Sequence, residues 1–167
     1  MASMLSTDIE QVANPIELIE EIAAAHDWQF ERQNDDEVAV QVNGTWCEYR
    51  MWFIWRTDLG ALYFSCGFDM RVKPERHGAV YPLLAKLNER LWLGHFELWS
   101  EEGWPTFRHT LLASDKFGVT GHAIRDLVDT AVAECERFYP AFQFVIWGGK
   151  SADEAIESSL LETVGEA

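Results

Sequence analysis

Cationic side chains are scarce in this chain: 13 Lys and Arg stand against 28 Asp and Glu, a formal net charge of −15 over 167 residues. That balance disfavours any broad surface that neutralises the phosphates of nucleic acid. Cysteine is sparse too, with three residues at positions 47, 66 and 135 and no CxxC pair. Neither a disulfide framework nor a structural zinc site is indicated, and a reducing cytoplasm fits best. No apolar run approaches the roughly 18 residues that span a bilayer. The N-terminus lacks the basic and apolar regions of an export signal, so the chain reads as unexported and without a membrane segment. There is no GxSxG, GxxxxGK[ST], GxGxxG or EF-hand loop, so the usual nucleophile elbow and phosphate cradle are absent. The expectation is a protein that needs no metal and no cofactor.

Aromatic residues, by contrast, are abundant, including 8 Trp and 10 Phe. A chain of this length forms one domain and buries roughly 70% of its unfolded surface, and these rings supply the interior. Charge is segregated along the chain. Residues 1–37 hold ten acids and the single base Arg32, residues 38–149 thirteen acids and eleven bases, and residues 150–167 five acids and Lys150. The stretch 38–149 is thus nearly neutral and rich in aromatics between acidic ends, and the expected division is an acidic N-terminal extension (1–13), an α+β domain (14–149) and an acidic C-terminal segment (150–167) that can form a short helix, marginal alone.

Asn14, Pro15 and Glu17 mark a helix start, and Ile16, Ile19, Ile22 and Ala23 give that helix one apolar stripe to about His26. The period then changes to two, through Trp28 to Gln33 and through Val38, Val40 and Val42, a hairpin. Asn43 and Gly44 lead into a long strand from Thr45 to Arg56, and another strand runs from Ala61 to Phe68. A second helix is expected from Pro74 to about Leu93, with Gly94 as its stop. Strands near 95–100 and 106–113 follow, then a long amphipathic helix from Gly121 to Trp147 that Pro140 should bend or interrupt. The predicted class is α+β: an antiparallel sheet with helices on one face, in the order α-β-β-β-β-α-β-β-α.

Strand alternation divides the long strand in two. Cys47, Tyr49, Met51, Phe53 and Trp55 form one face, and Trp46, Glu48, Arg50, Trp52, Ile54 and Arg56 the other. If the helices cover the first, then Trp46, Arg50, Trp52, Ile54 and Arg56 lie outside the core as a partner or dimer interface, unless a tail or loop of the same chain covers them. For metal chemistry the residues to watch are His95, Glu97 and His109, with His122 as a further ligand, although no HExxH helix or Cys/His cluster completes a set. The three cysteines read as small buried hydrophobes, and Trp147 to Ser151 as a helix end with a flexible joint.

Tyr49 to Trp55, Leu83-Leu84-Ala85-Lys86-Leu87-Asn88, Phe107-Arg108-His109, Pro140-Ala141-Phe142-Gln143 and Trp147-Gly148-Gly149-Lys150 together resemble the YbjN domain family, from about residue 14 onward. That resemblance implies a fold like that of type III secretion chaperones and a role in sensory-transduction regulation through protein binding. The look-alike chaperones are acidic homodimers that hold partner polypeptides. The resulting expectation is a non-enzymatic cytoplasmic homodimer that holds a partner polypeptide on its aromatic sheet face. The alternative is a small-molecule sensor or enzyme with a pocket between sheet and helices.

Overall fold

Alternation along the chain translates directly into a six-stranded sheet. The computed structural model describes residues 12–114 and 116–165; most of the acidic N-terminal extension lies outside the described residues. The elements are α1 (Ile16–Ala25), β1 (Gln29–Asn34), β2 (Glu37–Asn43), β3 (Glu48–Arg56), β4 (Ala61–Gly67), α2 (His77–Asn88), β5 (His95–Trp99), β6 (Trp104–Leu112), α3 (Gly121–Ile146) and α4 (Ala152–Gly165). Spatial order in the sheet is β1-β2-β3-β4-β6-β5, with every neighbouring pair antiparallel. The family fold inferred from sequence, an α+β sheet with helices on one side, is the fold observed.

Helices cover the face that carries Val38, Val40, Tyr49, Met51, Phe53, Trp55, Leu62 and Phe64, all of them buried. Phe53 meets Phe64 at 5.0 Å between ring centroids, and Phe68 meets Phe142 of α3 edge-on at 5.1 Å. Such tilted and edge-on contacts add to the burial of each ring. Cys66 of β4 and Cys135 of α3 face each other inside this layer, sulfur to sulfur at 3.9 Å, as free thiols.

Three elements depart from the sequence reading. Pro140 does not interrupt α3, which runs unbroken from Gly121 to Ile146. The hydrogen bond lost at its nitrogen is offset by a fully buried turn, since Phe138, Tyr139, Ala141 and Phe142 are all in the core. The second helix ends at Asn88, short of Leu93 and Gly94. The Asn88 amide donates to the Phe96 carbonyl at 3.0 Å and accepts from the Phe96 N–H at 2.7 Å, tying the helix end to β5. The long strand starts at Glu48 instead of Thr45.

The C-terminal segment is the helix α4, which packs on α2 and α3. Ala155 and Ile156 are buried, the Ser159 hydroxyl donates to the Arg137 carbonyl at 2.8 Å, and Lys86 pairs with Asp153 at 2.8 Å. It therefore reinforces the helical layer, and no helix among the described residues covers the opposite sheet face. No helix among the described residues is long and apolar enough to cross a membrane.

Candidate functional site

Cross-strand pairing aligns the uncovered face into rows. One row runs Glu31, Ala39, Trp52, Ser65, Arg108, His95 across all six strands, and the next runs Gln29, Gln41, Arg50, Gly67, Thr106, Glu97. Trp52 thus stands between two small neighbours, Ala39 and Ser65, with Gly67 diagonal to it. A Cβ at Gly67 would come within 3.3 Å of the Trp52 ring, so glycine lets that ring lie flat on the sheet. It leans toward Trp104 and stacks on it at 6.3 Å between centroids, 18° from parallel.

Small residues beside a large one make hollows. A trough of about 470 Å³ lies over β2, floored by Ala39 and walled by Gln29, Glu31 and Gln33 of β1 on one side and by Arg50 and Trp52 on the other. A notch of about 110 Å³ on the far side of Trp52 is bounded by Ile54, Tyr63, Ser65, Trp99 and Arg108. A third hollow, about 210 Å³, opens over Gly67 between Trp52, Trp104, Glu48 and Asp69. Trp52 borders all three. Trp99 beside the notch is 55% exposed.

Two of the three arginines on this face are tied down. Arg56 forks onto Asp58 at 2.9 and 2.7 Å while lying 5.6 Å from the Tyr63 ring centre, and Arg108 donates to Glu97 at 3.1 Å. Arg50 sits 6.0 Å from the Trp52 ring centre, with no acid within ion-pair distance among the described residues.

Arg50, Trp52, Ile54 and Arg56 therefore share the uncovered face, as alternation predicts. Trp46 does not: it precedes β3 and stacks on Tyr139 of α3 at 6.1 Å, on the helical side. The cause is a turn in which the Gly44 N–H donates to the Cys47 carbonyl at 2.8 Å, taking residues 45–47 out of the strand. Glu136 of α3 captures that turn, accepting from the N–H groups of Thr45 and Trp46 and from the Tyr49 hydroxyl at 2.6 Å.

His95, Glu97 and His109 do not converge. His95 pairs opposite Arg108 and His109 opposite Phe64, so the two imidazoles lie on opposite faces of the sheet. Burial first, and nearby His95 second, hold His109 below the ordinary imidazole range. Glu97 is engaged by Arg108 at 3.1 Å and by His95 at 3.6 Å. His122 pairs with Asp126 at 3.2 Å on α3, and no group of three metal-ligating side chains is assembled among the described residues. Half-buried Cys47 has its thiol pushed up to about 12, mainly by burial, which suppresses thiolate chemistry there.

Sequence reasoning missed Tyr63, Trp99, Trp104 and Arg108 as members of the same face. Their alternation is visible strand by strand, but their neighbourhood depends on β6 pairing with β4, a non-sequential contact.

Among known families, the YbjN model, "Putative bacterial sensory transduction regulator", matches residues 15–144. The chain belongs to the YbjN family. A similar solved structure is that of YbjN from E. coli, described as "a putative transcription regulator", at 11% identity and a TM-score of 0.50, covering 93% of this chain and 96% of that one. At that identity the likeness speaks for the fold. No curated protein sequence matches the chain. The YbjN match includes β1 to β6 and most of α3, and so the whole uncovered face.

Proposed function

We propose that this YbjN-family chain is a regulatory binding module, not an enzyme, that works in the cytoplasm as a chaperone-like homodimer and holds a partner polypeptide on its uncovered sheet face. The observation that supports this most is the position of Trp52, which borders three adjoining hollows and is itself only half-buried. A large ring flanked by recesses is the form that interface anchors take. The rival reading needs a pocket between sheet and helices. That space is filled by Phe53, Phe64, Phe96, Phe107, Phe138 and Phe142, each at most 2% exposed, which favours the face over the interior.

Purification of the tagged chain from its own cells, beside a Trp52→Ala variant, tests the reading. A polypeptide retained by the wild type and lost by the variant is the expected result; one retained equally by both overturns the assignment of the face. Self-association is tested separately, since sedimentation that shows only monomer at high micromolar concentration defeats the homodimer.

A further inference from the structure

The trough beside Trp52 has a direction. Gln29, Glu31 and Gln33 stand at alternate positions along β1, and Gln41, Ala39 and Glu37 at alternate positions along β2. Their spacing of two residues is the repeat of an extended chain, about 6.6 Å. Three glutamine amides along the wall and floor each offer a donor and an acceptor, the pair of groups that an extended backbone needs. The end of the sheet holding this trough is acidic: Glu31 and Glu37 line it and Asp35 and Asp36 lie in the adjoining β1–β2 turn, against the one lining base Arg50, while Arg32, paired opposite buried Val38, is on the helical face and bound to Glu20 at 2.7 Å. Across Trp52 lies the notch, of a size that accepts one apolar side chain.

We infer that the occupant of this face is an extended, basic polypeptide segment, its lysines or arginines beside Glu31 and Glu37, its backbone on the glutamine amides and one apolar side chain in the notch between Trp52 and Trp99. The inference rests on the reading of the face as a polypeptide site and names the partner's chemistry. Charge decides among occupants. A second copy and a nucleic acid both bring a large negative charge to a chain of net charge −15, whereas a basic segment is drawn in by the same field.

Titration of the full chain with short synthetic peptides, followed by tryptophan emission, tests this. The probes are an acetylated peptide alternating lysine and leucine, its glutamate-for-lysine counterpart, and a lysine-serine version. The lysine-leucine peptide is expected to bind at least about tenfold more tightly than either control. Trp52→Ala, or the plug Ala39→Gln on the trough floor, should weaken it by about tenfold. The double variant Glu31→Gln, Glu37→Gln should weaken it at low salt and converge on the wild type as salt is raised. Unfolding midpoints show whether each variant is folded, and Ala39→Gln carries the test if Trp52→Ala is not.

Equal binding of the glutamate peptide overturns the basic partner while leaving the face a polypeptide site. Binding that neither Trp52→Ala nor Ala39→Gln weakens overturns the location, and no binding of the lysine-leucine peptide overturns the proposal. Self-association abolished by Trp52→Ala without peptide binding assigns the face to a second copy and overturns it as well.

Discussion

The phenol of Tyr49 on β3 donates to the carboxylate of Glu136 on α3 at 2.6 Å, and the same carboxylate accepts from two backbone N–H groups of the turn before β3. One side chain thereby fixes both where the strand begins and how the long helix sits on the sheet. Removing it strands a buried phenol and two turn donors. Glu136→Ala is expected to lower stability by about 3 kcal/mol, within the range for bonds to a charged group and for a buried donor left unpaired. Urea unfolding measures it, and an unchanged midpoint refutes the anchoring role.

Alkaline stability follows from Tyr49 and Tyr139. Both hydroxyls are held above the usual 10.0, first by burial and second by the facing carboxylates Glu136 and Asp69. The folded chain therefore keeps these protons more tightly than the unfolded chain. Their contribution is complete below about pH 10 and is lost as pH rises from there toward the folded values. Thermal midpoints should fall above about pH 10, and Tyr49→Phe should show a shallower fall. An equally steep fall in that variant assigns the effect to other groups.

Phe53 is 1% exposed and meets Phe64 at 5.0 Å. Phe53→Ala is expected to cost about 3 to 5 kcal/mol through lost burial and a residual cavity. Trp52→Ala, on the opposite face of the same strand and only half-buried, should cost much less. The ratio of the two, read from denaturant midpoints, tests the register directly.

Because α4 packs on α2 and α3, its loss should act on the helical layer. Ile156→Ala is expected to cost about 2 to 4 kcal/mol, as for other buried aliphatic truncations. Deleting residues 152–165 should destabilise the chain without uncovering Trp52. Tryptophan emission that changes identically in the deletion and in a Trp52 variant argues otherwise.

Much of this was readable in advance, for reasons that differ by element. Period two on β3 placed Tyr49, Met51, Phe53 and Trp55 inward and Arg50, Trp52, Ile54 and Arg56 outward, because one buried face pins register. Trp46 was misplaced by extending the same alternation through a turn that a carboxylate ninety residues away in sequence, Glu136, holds open. The opposed faces of His95 and His109 follow from the β5–β6 register, which a turn sets and composition does not reveal. Pro140 illustrates tertiary override: a local helix breaker is accommodated because the two residues on each side of it, Phe138, Tyr139, Ala141 and Phe142, are buried. The uncovered face was legible one strand at a time, but its hollows arise from Ala39, Ser65 and Gly67, small residues whose meaning appears only beside Trp52.

The free thiols of Cys66 and Cys135, at 3.9 Å across the sheet–helix seam and with no exposed surface, give the molecule an internal clock. Cys135 is held well above the ordinary thiol range by burial first and by Cys66 second. A thiol reagent can reach this pair only when α3 lifts from β4, whereas half-buried Cys47 reports on local fraying near the turn at Gly44. The two labelling rates therefore separate breathing at one end of the sheet from opening of the whole.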